Sequence, residues 1–509
     1  MKPVRYLLLI AGLTGCAHRT LPRLMDHRLS PDLPYCDELP PPGPSQLDAL
    51  VGELGVPPGH TGVLLLERGA SALIARAWLM QHATKRIDAQ YFIFSADNTG
   101  LVATDALLVA AERGVKVRLL VDDTLVHGDP EILHALATHP NAEVRIYNPV
   151  INVGKSTTQK VKNVLSDFRG VNQRMHNKLF VVDGRVAVTG GRNIAAEYFD
   201  MEHTSNFRDR DVLLVEGEVA DAQASFELFW SHPLAQPVQD LLGQPLPYRS
   251  ERIWRALHQY GCNPDNFLPM LRDRIAAVPA SLRQRVGEGQ LSLVERVDYI
   301  SDVPGKNALG TLTGGGISTD ALIALVRGAR ESVVIQSPYL VTTELGLGVF
   351  REAEERGVQV RILTNSLAAT DNVLAFAGYR RGSDALLAAG VELFESKPNM
   401  AAQQELMNGP LAQRYNSQMA LHAKSMVIDG KVSVVGSFNL DPRSANLNTE
   451  SVTVIYSEAV ARHLLQRMET EMGPGNAWQI TEDFNPEKEA PLRRRISVFF
   501  ARLAPLSLL

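Results

Sequence analysis

Two stretches of the chain repeat a set of side chains that can act on phosphate. Each has the pattern His-x-Lys-x4-Asp, formed by His176, Lys178 and Asp183 in the first copy and by His422, Lys424 and Asp429 in the second. An imidazole can attack phosphorus, and an ammonium beside it can hold a phosphoryl oxygen and absorb developing negative charge. The repeated pattern therefore predicts a site for phosphoryl or phosphodiester transfer.

A second motif follows each copy at the same distance. Gly190-Gly191-x-Asn193 follows the first and Gly436-Ser437-x-Asn439 follows the second. We expect the two asparagine amides to donate hydrogen bonds to phosphoryl oxygens, and the glycines to let the backbone approach the phosphate. One His-x-Lys pair alone is weak evidence, because most such pairs are solvated strand positions. Two copies with the same downstream motif are strong evidence.

The residues around each motif alternate between apolar and other types, with a glycine turn at Gly184 and at Gly430. This alternation predicts strands, on which residues two apart point to the same face. Each histidine should therefore project together with its lysine. Asp183 and Asp429 lie five residues beyond the lysines and should face away, so a turn-supporting or buried structural role is our main interpretation of both.

The paired motifs resemble the signature of the phospholipase D superfamily, and the resemblance covers nearly the whole chain. The stretches at 175–200 and 436–450 are most similar to bacterial cardiolipin synthases, particularly the C-type branch. The resemblance implies two pseudo-symmetric lobes with one active site between them. It also implies that one histidine attacks phosphorus and the other acts as acid and base, with His176 favoured as the nucleophile and His422 as the acid/base.

The resemblance further implies an acid in each half that binds the imidazole nitrogen remote from phosphorus. Asp211 and Glu450 are the candidates, because they begin the matched apolar stretches Asp-Val-Leu-Leu-Val and Glu-Ser-Val-Thr-Val. Such a hydrogen bond fixes the imidazole tautomer and stabilises the imidazolium.

As a function, the resemblance implies transfer of a phosphatidyl group through a phosphatidyl-histidine to a hydroxyl. The product would be cardiolipin, made from phosphatidylglycerol and a second phospholipid, either phosphatidylglycerol or phosphatidylethanolamine. Hydrolysis at the same site, as in a phospholipase D, is the nearest alternative. A nucleic-acid phosphodiesterase is another, and a non-catalytic lipid-binding lipoprotein is disfavoured because both histidines, lysines and asparagines are present.

Residues 101–113 have the apolar spacing of a helix, Gly114 ends it, and residues 115–121 have the apolar, β-branched composition of a buried strand. This order predicts βαβ units. The interval between Gln90 and Gln336 equals that between His176 and His422, so the chain is an internal duplication. We expect an α/β fold of two lobes, each a mixed, mostly parallel sheet flanked by helices. The predicted segments are a signal peptide at 1–15, a Pro-rich tether at 16–60, lobes at 61–250 and 306–490, a helical connector at 251–305 and a basic, apolar segment at 491–509.

The first residues have a short basic start, a brief apolar run and the ending Leu-Thr-Gly-Cys at Cys16. This is typical of a secretory signal and resembles a lipobox, so Cys16 is the predicted lipid-modified residue and the protein should face the periplasm from a membrane. Ala17 follows in place of Asp, which by analogy with enteric bacteria favours the outer membrane. Cys36 and Cys262 are compatible with a disulfide and equally with two buried thiols.

Two further basic segments are compatible with more than one role. Lysines and arginines at 155–174 suit contact with anionic lipid headgroups and equally a solvated loop. Gly154-Lys155-Ser156 is only the tail of a phosphate-binding loop, since Pro149 replaces the required glycine. At 492–509, three arginines precede apolar residues, which fits an interfacial helix or a helix docked on the core.

Composition narrows the function classes. A net charge of −5 over 509 residues gives no overall attraction to polyanions, so we expect no nucleic acid among the partners, which should be phospholipids and a membrane surface. The carboxylates accompany lysines rather than further histidines or cysteines at ligand spacing, so no metal or other cofactor is predicted. No Gly-x-Ser-x-Gly nucleophile elbow is present.

Overall fold

The computed structural model describes residues 46–125, 130–244, 246–263, 266, 269–288, 290–306, 314–407 and 417–501. The predicted signal peptide, Cys16 and the pairing of Cys36 with Cys262 involve residues outside these ranges. Within the described residues, no helix has the length and apolar character that crossing a bilayer requires.

The first lobe is built on one large sheet. Its strands lie in the order β10-β1-β8-β6-β5-β2-β3-β4-β9. In chain order, the strands of this lobe are β1 (Thr61–Leu66), β2 (Arg86–Ile93), β3 (Lys116–Leu125), β4 (Ala142–Tyr147), β5 (Leu179–Val182), β6 (Val186–Gly190), β7 (Ser205–Arg208), β8 (Asp211–Val215), β9 (Ala235–Pro237) and β10 (Ser292–Val294).

Helices cover the faces of this sheet. They are α1 (Gln46–Leu54), α2 (Gly69–His82), α3 (Asn98–Glu112), α4 (Pro130–Leu136), α5 (Thr157–Ser166), α6 (Phe168–Asn172), α7 (Val219–Trp230), α8 (Val238–Leu242), α9 (Pro247–Cys262), α10 (Pro269–Ala276) and α11 (Val278–Gly287), with a short 3-10 turn at Ala196–Tyr198. Asp97 caps the N-terminus of α3: its carboxylate accepts the Gly100 N–H and so satisfies one free backbone donor.

The second lobe repeats the plan, with strands in the order β11-β18-β17-β16-β12-β13-β14-β19. Its strands are β11 (Val297–Ser301), β12 (Ser332–Gln336), β13 (Gln359–Asn365), β14 (Glu392–Ser396), β15 (Gln418–Leu421), β16 (Ser425–Ile428), β17 (Val432–Gly436), β18 (Ser451–Tyr456) and β19 (Ala477–Ile480). Its helices are α12 (Ile317–Gly328), α13 (Glu344–Glu355), α14 (Val373–Ala388), α15 (Gln403–Leu406), α16 (Pro442–Asn446), α17 (Glu458–Met472) and α18 (Leu492–Ala501), with a 3-10 turn at Pro486–Glu489.

The mixed α/β fold and the duplication are confirmed, but the expected predominance of parallel pairing is wrong. Among the strands that the structure describes, two pairings in each sheet are parallel, namely β2–β3 and β3–β4 in the first and β12–β13 and β13–β14 in the second. The strands of each motif form a tight hairpin that joins the sheet antiparallel to β2 or to β12. The three residues between the strands of each hairpin are too few for a crossover to a parallel strand. Each hairpin also pairs antiparallel with β8 or β18, so parallel pairs are the minority.

The lobes share structure across their boundary. Strand β7 of the first lobe pairs in parallel with β15 of the second, as a separate two-stranded sheet. One buried apolar cluster contains Val63 and Leu214 from the first lobe together with Val435 and Ile455 from the second. Burying these side chains against one another makes the two lobes one body rather than two tethered domains.

The segment boundaries differ from expectation at two places. Helix α1 lies within the stretch predicted as tether, and its Leu47, Leu50 and Val51 are buried in the core of the first lobe. The apolar residues of α1 recur at helical spacing, a signal that the proline run before them obscured. The predicted connector at 251–305 packs on the first lobe through α9. Its last strand, β11, pairs with β18 and so belongs to the sheet of the second lobe.

Candidate active site

His176 and His422 both lie at the boundary between the lobes. His176 lies three residues before β5, and His422 lies between β15 and β16. The backbone N–H of His176 donates to the Thr449 carbonyl at 2.9 Å, and that of His422 donates to the Arg208 carbonyl at 2.8 Å. Each histidine is therefore held in place by the chain of the opposite lobe.

Each imidazole meets a buried carboxylate that comes from the other lobe. His176 Nδ1 lies 2.8 Å from Glu450 Oε2, and His422 Nδ1 lies 2.6 Å from Asp209 Oδ2. An ionised carboxylate can only accept, so when both acids are charged Nδ1 carries the proton in both rings and Nε2 is the nitrogen left for chemistry. The two His–acid pairs cross the boundary in opposite directions.

Asp211, the expected partner of an imidazole in the first half, does not contact either histidine. Strand pairing places Asp211 beside Gly190, and the matching position beside Gly436 is Val452. The residue equivalent to Glu450 is therefore Asp209, two positions earlier. The sequence comparison matched Asp211 with Glu450, which is two residues out of register. A shift of two residues keeps the same side chains on the same face of a strand, so the alternation of apolar residues does not reveal it.

Asp211 has a structural role in the first lobe. Its carboxylate forms a buried ion pair with Arg76 of α2 at 2.9 Å and accepts the backbone N–H of Arg192 at 3.2 Å. The Arg76 guanidinium also donates to the Tyr91 hydroxyl at 3.0 Å. The sequence Asp209-Arg210-Asp211 contains two acids that lie two residues apart. The sequence alone does not show which of them faces His422.

The environment of the two histidines favours their neutral forms. Burial is the main reason that the pKa of His176 lies well below its ordinary value, and the charges of Lys178 and Lys424 lower it further. Burial and Lys424 also lower the pKa of His422, while Asp209 opposes this effect. Charge on His422 also lowers the pKa of His176, so the two rings interact electrostatically.

The two carboxylates differ in protonation tendency. Burial raises the pKa of Glu450 to about 7, although Lys178 opposes it. Burial also disfavours the charged form of Asp209, but the charges of His422 and Lys424 outweigh it and the pKa is lowered. Asp209 is therefore the stronger stabiliser of a charged imidazolium.

Serine hydroxyls, which sequence reasoning did not include in the site, support Glu450. Ser437 Oγ donates to Glu450 Oε2 at 2.5 Å, and Ser444 Oγ donates to Glu450 Oε1 at 2.8 Å. Behind them, Asp302 accepts the Glu450 backbone N–H at 2.9 Å and pairs with buried Lys306 at 2.7 Å. These contacts fix the Glu450 carboxylate toward His176.

The two motif lysines lie beside their histidines, but each His–Lys pair immediately precedes β5 or β16 and does not lie on a strand as predicted. Lys178 Nζ donates to the His176 carbonyl at 2.6 Å, and Lys424 Nζ lies 3.3 Å from His422 Nε2. Burial lowers the pKa of Lys178 to about 7 and that of Lys424 to about 8. An anionic phosphate between the lobes would restore their charge, because an opposite charge favours the ammonium form.

The asparagines are engaged unequally. Asn193 Oδ1 accepts the Ile93 N–H at 3.0 Å and Asn193 Nδ2 donates to the Tyr198 hydroxyl at 2.9 Å, which leaves one amide hydrogen for a ligand. The buried Asn439 Oδ1 has no hydrogen-bond partner among the described residues.

The glycines make room for neighbouring protein atoms. A Cβ on Gly191 would collide with the Asp209 carboxylate, and one on Gly436 would collide with the Ser451 carbonyl. Gly191 thus leaves space for the acid that binds His422. The equivalent position in the second lobe is Ser437, whose hydroxyl instead binds the acid of its own lobe.

Asp183 and Asp429 lie away from the cleft, in agreement with the structural interpretation of both. Each has a positive φ, 54° and 52°, at the turn of its hairpin. The carboxylate of Asp183 accepts the backbone N–H groups of Thr84, Lys85 and Arg86. The carboxylate of Asp429 accepts those of residues 330–332 in the same way.

Aromatic rings surround both imidazoles. The Phe92 ring lies 4.9 Å from the His176 ring, and Phe207 and Tyr198 lie 4.7 Å and 5.2 Å from the His422 ring. These rings exclude water from much of the histidine surface, which strengthens the electrostatic interactions in the cleft. Across the part of the chain that the structure describes, no group of three or more His, Cys, Asp or Glu side chains is arranged to hold a metal ion.

Comparison with known proteins bears directly on this site. A sequence model of the family described as cardiolipin synthase, PLD-like domain, matches residues 78–230 and 322–472. The chain is 35% identical over 427 residues to cardiolipin synthase C of Escherichia coli (strain K12), which covers 84% of this chain and 88% of that protein. It is 26% identical to cardiolipin synthase B of the same organism over 84% of each chain.

A solved structure supports the fold. The phosphatidylserine synthase of Haemophilus influenzae Rd KW20 superposes with a TM-score of 0.58 at 15% identity, covering 90% of this chain and 97% of that chain. At this identity the likeness concerns the fold alone. The two matched regions of the family model each contain one His-x-Lys motif and thus coincide with the two lobes.

Proposed function

Because the chain belongs to the cardiolipin synthase family with phospholipase D-like domains, and is an enzyme of phospholipid phosphatidyl transfer, we propose that it makes cardiolipin. The proposed substrates are phosphatidylglycerol and a second phospholipid, either phosphatidylglycerol or phosphatidylethanolamine. The observation that carries the proposal is the pair of crossed His–acid contacts, which gives one cleft two oriented imidazoles.

In the first step, Nε2 of His176 attacks the phosphorus of the donor lipid. A phosphorus–nitrogen bond forms and the bond to the headgroup oxygen breaks, while His422 Nε2 gives its proton to that oxygen. The well-lowered pKa of His176 supports its role as nucleophile, because a neutral ring has a free lone pair. Asp209 supports His422 as the acid, because its charge opposes the burial and the Lys424 charge that lower the pKa of His422.

In the second step, the acceptor hydroxyl gives its proton to His422 Nε2 and attacks phosphorus. The bond between phosphorus and His176 breaks, and His176 again becomes neutral. Lys178 and Lys424 neutralise the charge that builds on the non-bridging oxygens in both steps. Asn193 and Asn439 supply amide donors to the same oxygens.

The reaction outcome depends on whether a lipid hydroxyl or water accepts the phosphatidyl group. The experiment is to incubate the purified protein with labelled phosphatidylglycerol and phosphatidylethanolamine and to resolve the lipid products. Cardiolipin is the expected product; phosphatidic acid alone would instead identify a phospholipase D. Activity should persist with EDTA, because the lysines provide the positive charge that a metal would otherwise supply.

We further propose that the protein is anchored by a lipid on Cys16 and faces the periplasm, with the outer membrane favoured over the inner. The lipobox-like ending at Cys16 supports this assignment. Replacing Cys16 with Ser should abolish lipid labelling of the protein in cells. Persistent labelling of the Cys16→Ser variant would place the modification elsewhere.

A further inference from the structure

Helix α18, the last helix that the structure describes, has two different faces. Val498 and Ala501 are buried in the core of the second lobe, where α18 packs against α14. Four large apolar side chains on the remaining surface are exposed, namely Leu492 (66%), Ile496 (51%), Phe499 (70%) and Phe500 (63%). Two adjacent phenylalanines this exposed are unusual on a protein surface, and such a patch marks an interaction site.

The charges beside this patch point to an anionic partner. Arg493 and Arg495 are exposed and flank the turn that carries Leu492 and Ile496. Aromatic side chains with adjacent arginines are the composition of helices that lie in a membrane interface, where arginines meet lipid phosphates. A two-fold contact between two copies of this patch would instead bring Arg493 and Arg495 of both copies into one interface.

Arg494 turns inward and connects α18 to the neighbourhood of the active site. Its Nη1 donates to the carbonyls of Leu367, Ala368 and Thr370 at 3.0, 2.9 and 2.9 Å. One guanidinium therefore holds three carbonyls of the loop at 366–372, which ends where Asn372 caps α14.

The same loop reaches the wall of the cleft. Asp371 Oδ2 accepts the Tyr339 hydroxyl at 2.7 Å, and the Tyr339 ring lies 6.4 Å from the His422 ring. The charge of Asp371 is also close enough to influence the pKa values of His422 and Lys424. A path thus runs from α18 through Arg494 to the loop at 366–372, and from Asp371 of that loop through Tyr339 to His422.

We propose that α18 docks the enzyme on an anionic phospholipid bilayer, with Phe499, Phe500 and Ile496 among the lipids, and that Arg494 ties this docking helix to the His422 side of the cleft. The docking surface stands independently of the reaction catalysed. Only the link to catalysis rests on the proposed function. Docking through α18 places the cleft wall formed by Tyr339 and Asp371 near the lipid surface that supplies the substrates.

The first test measures binding without turnover. Full-length protein carrying Cys16→Ser, which lacks the proposed anchor, is sedimented with vesicles of phosphatidylglycerol and phosphatidylcholine. Phe499→Ser and Phe500→Ser should each weaken binding roughly tenfold, since an aromatic ring leaves the lipid phase. Arg493→Gln and Arg495→Gln should each weaken it about fivefold, and added salt should reduce that difference.

Leu228→Ser is the matched control, because Leu228 is also exposed (48%) but lies on α7 of the first lobe. It should bind vesicles like the parent protein. Equal binding by the phenylalanine variants and the parent would overturn the docking proposal. A shift in oligomeric mass in the phenylalanine variants with unchanged vesicle binding would also overturn it, in favour of contact between copies.

The second test separates docking from the link to the cleft. Activity is measured on vesicles and on a short-chain phospholipid below its micelle concentration. Phe499→Ser should lose activity on vesicles and retain it on the monomeric lipid. Arg494→Gln should lose kcat on both, because the loop loses its brace, and Arg494→Lys should restore part of it. Full activity of Arg494→Gln on both substrates would refute the link while leaving the docking result intact.

Discussion

Each imidazole in the cleft is oriented by an acid from the opposite lobe, and this arrangement decides which of two neighbouring aspartates matters for chemistry. Asp209 contacts His422, whereas Asp211 neutralises Arg76. Both carboxylates are fully buried and lie two residues apart. Substitutions at these two positions can therefore be compared directly, to distinguish an acid that acts in the reaction from an acid that stabilises the fold.

Replacing Asp209 with Asn should lower kcat roughly 10²- to 10⁴-fold, because the imidazolium of His422 loses its counter-charge and its tautomer is no longer fixed. Replacing Asp211 with Asn should instead destabilise the protein by about 3–5 kcal/mol, because Arg76 stays buried without its partner. The measurements are kcat per folded molecule and denaturant unfolding. An Asp211→Asn variant as inactive per folded molecule as Asp209→Asn would contradict this division.

The buried lysines predict a dependence of substrate binding on pH. Burial lowers the pKa of Lys178 to about 7 and that of Lys424 to about 8, so both ammonium groups lose their protons as the pH rises through this range. The free enzyme then attracts an anionic phosphodiester less strongly, and kcat/KM should fall between about pH 7 and 9. The measurement is kcat/KM against pH under conditions that keep the protein folded.

Lys178→Arg is the control for this profile, because a guanidinium keeps its charge at these pH values. This variant should lose kcat, since the geometry changes, but its alkaline decline should be smaller. An alkaline limb that is identical in Lys178→Arg would assign the decline to another group.

At the residue scale, the sequence located both His–Lys pairs and Glu450, because repeated spacing survives in the primary structure. It did not locate Asp209, Ser444 or the aromatic ring of Phe207. Their positions depend on the register between strands and on packing across the lobes, which short-range spacing does not encode. The equal distance from each histidine to its Gly-x-x-Asn motif does not by itself match the two acids, because Asp209 lies 16 residues after Asn193 whereas Glu450 lies 11 residues after Asn439.

The motif hairpin is the element that positions each His–Lys pair, and its turn is stabilised by an aspartate. Asp183 and Asp429 each bind three consecutive backbone N–H groups at the start of a neighbouring strand. The same carboxylate thus fixes the turn and aligns the hairpin with β2 or β12. This explains why an acid occurs at this spacing without facing the substrate.

Asp183→Ala and Asp429→Ala should each lower the free energy of unfolding by about 1–3 kcal/mol, because three backbone donors lose their acceptor and Ala disfavours a positive φ. Asp183→Asn should cost less, since Asn tolerates that backbone and keeps one acceptor oxygen. Urea unfolding measures the stabilities. Loss of kcat in fully folded Asp183→Ala, equal to that of a histidine variant, would indicate a direct role in the reaction.

At the element scale, periodicity predicted the helices and strands of the βαβ units well, because their burial follows regular patterns. Periodicity overestimated the number of parallel strand pairs, because the strands of a hairpin and buried parallel strands have the same β-branched composition. Helix α1 was missed because the proline-rich residues before it suggested an extended segment. The docking of α18 through Val498 and Ala501 could not be chosen from sequence, because its apolar residues suit a core and a membrane equally.

The active site requires both lobes, because each histidine is paired with an acid from the other lobe. Arg208 and Arg210 of the first lobe, on either side of Asp209, bind Glu471 of the second at 2.8 and 2.7 Å. This buried network and the shared apolar cluster hold the lobes in one relative position. Neither lobe alone has a histidine with its acid, so duplication here produces one composite site rather than two independent sites.

The most direct test of the composite site follows a phosphatidyl ester with a nitrophenol leaving group, which departs without a proton donor. His422→Ala should release a single equivalent of nitrophenol and then stop, with a phosphatidyl adduct on the peptide that contains His176, measured by mass spectrometry. His176→Ala should release none above background. Continuous turnover by His422→Ala, or an equal burst from His176→Ala, would contradict two histidines that act in sequence on one phosphorus atom.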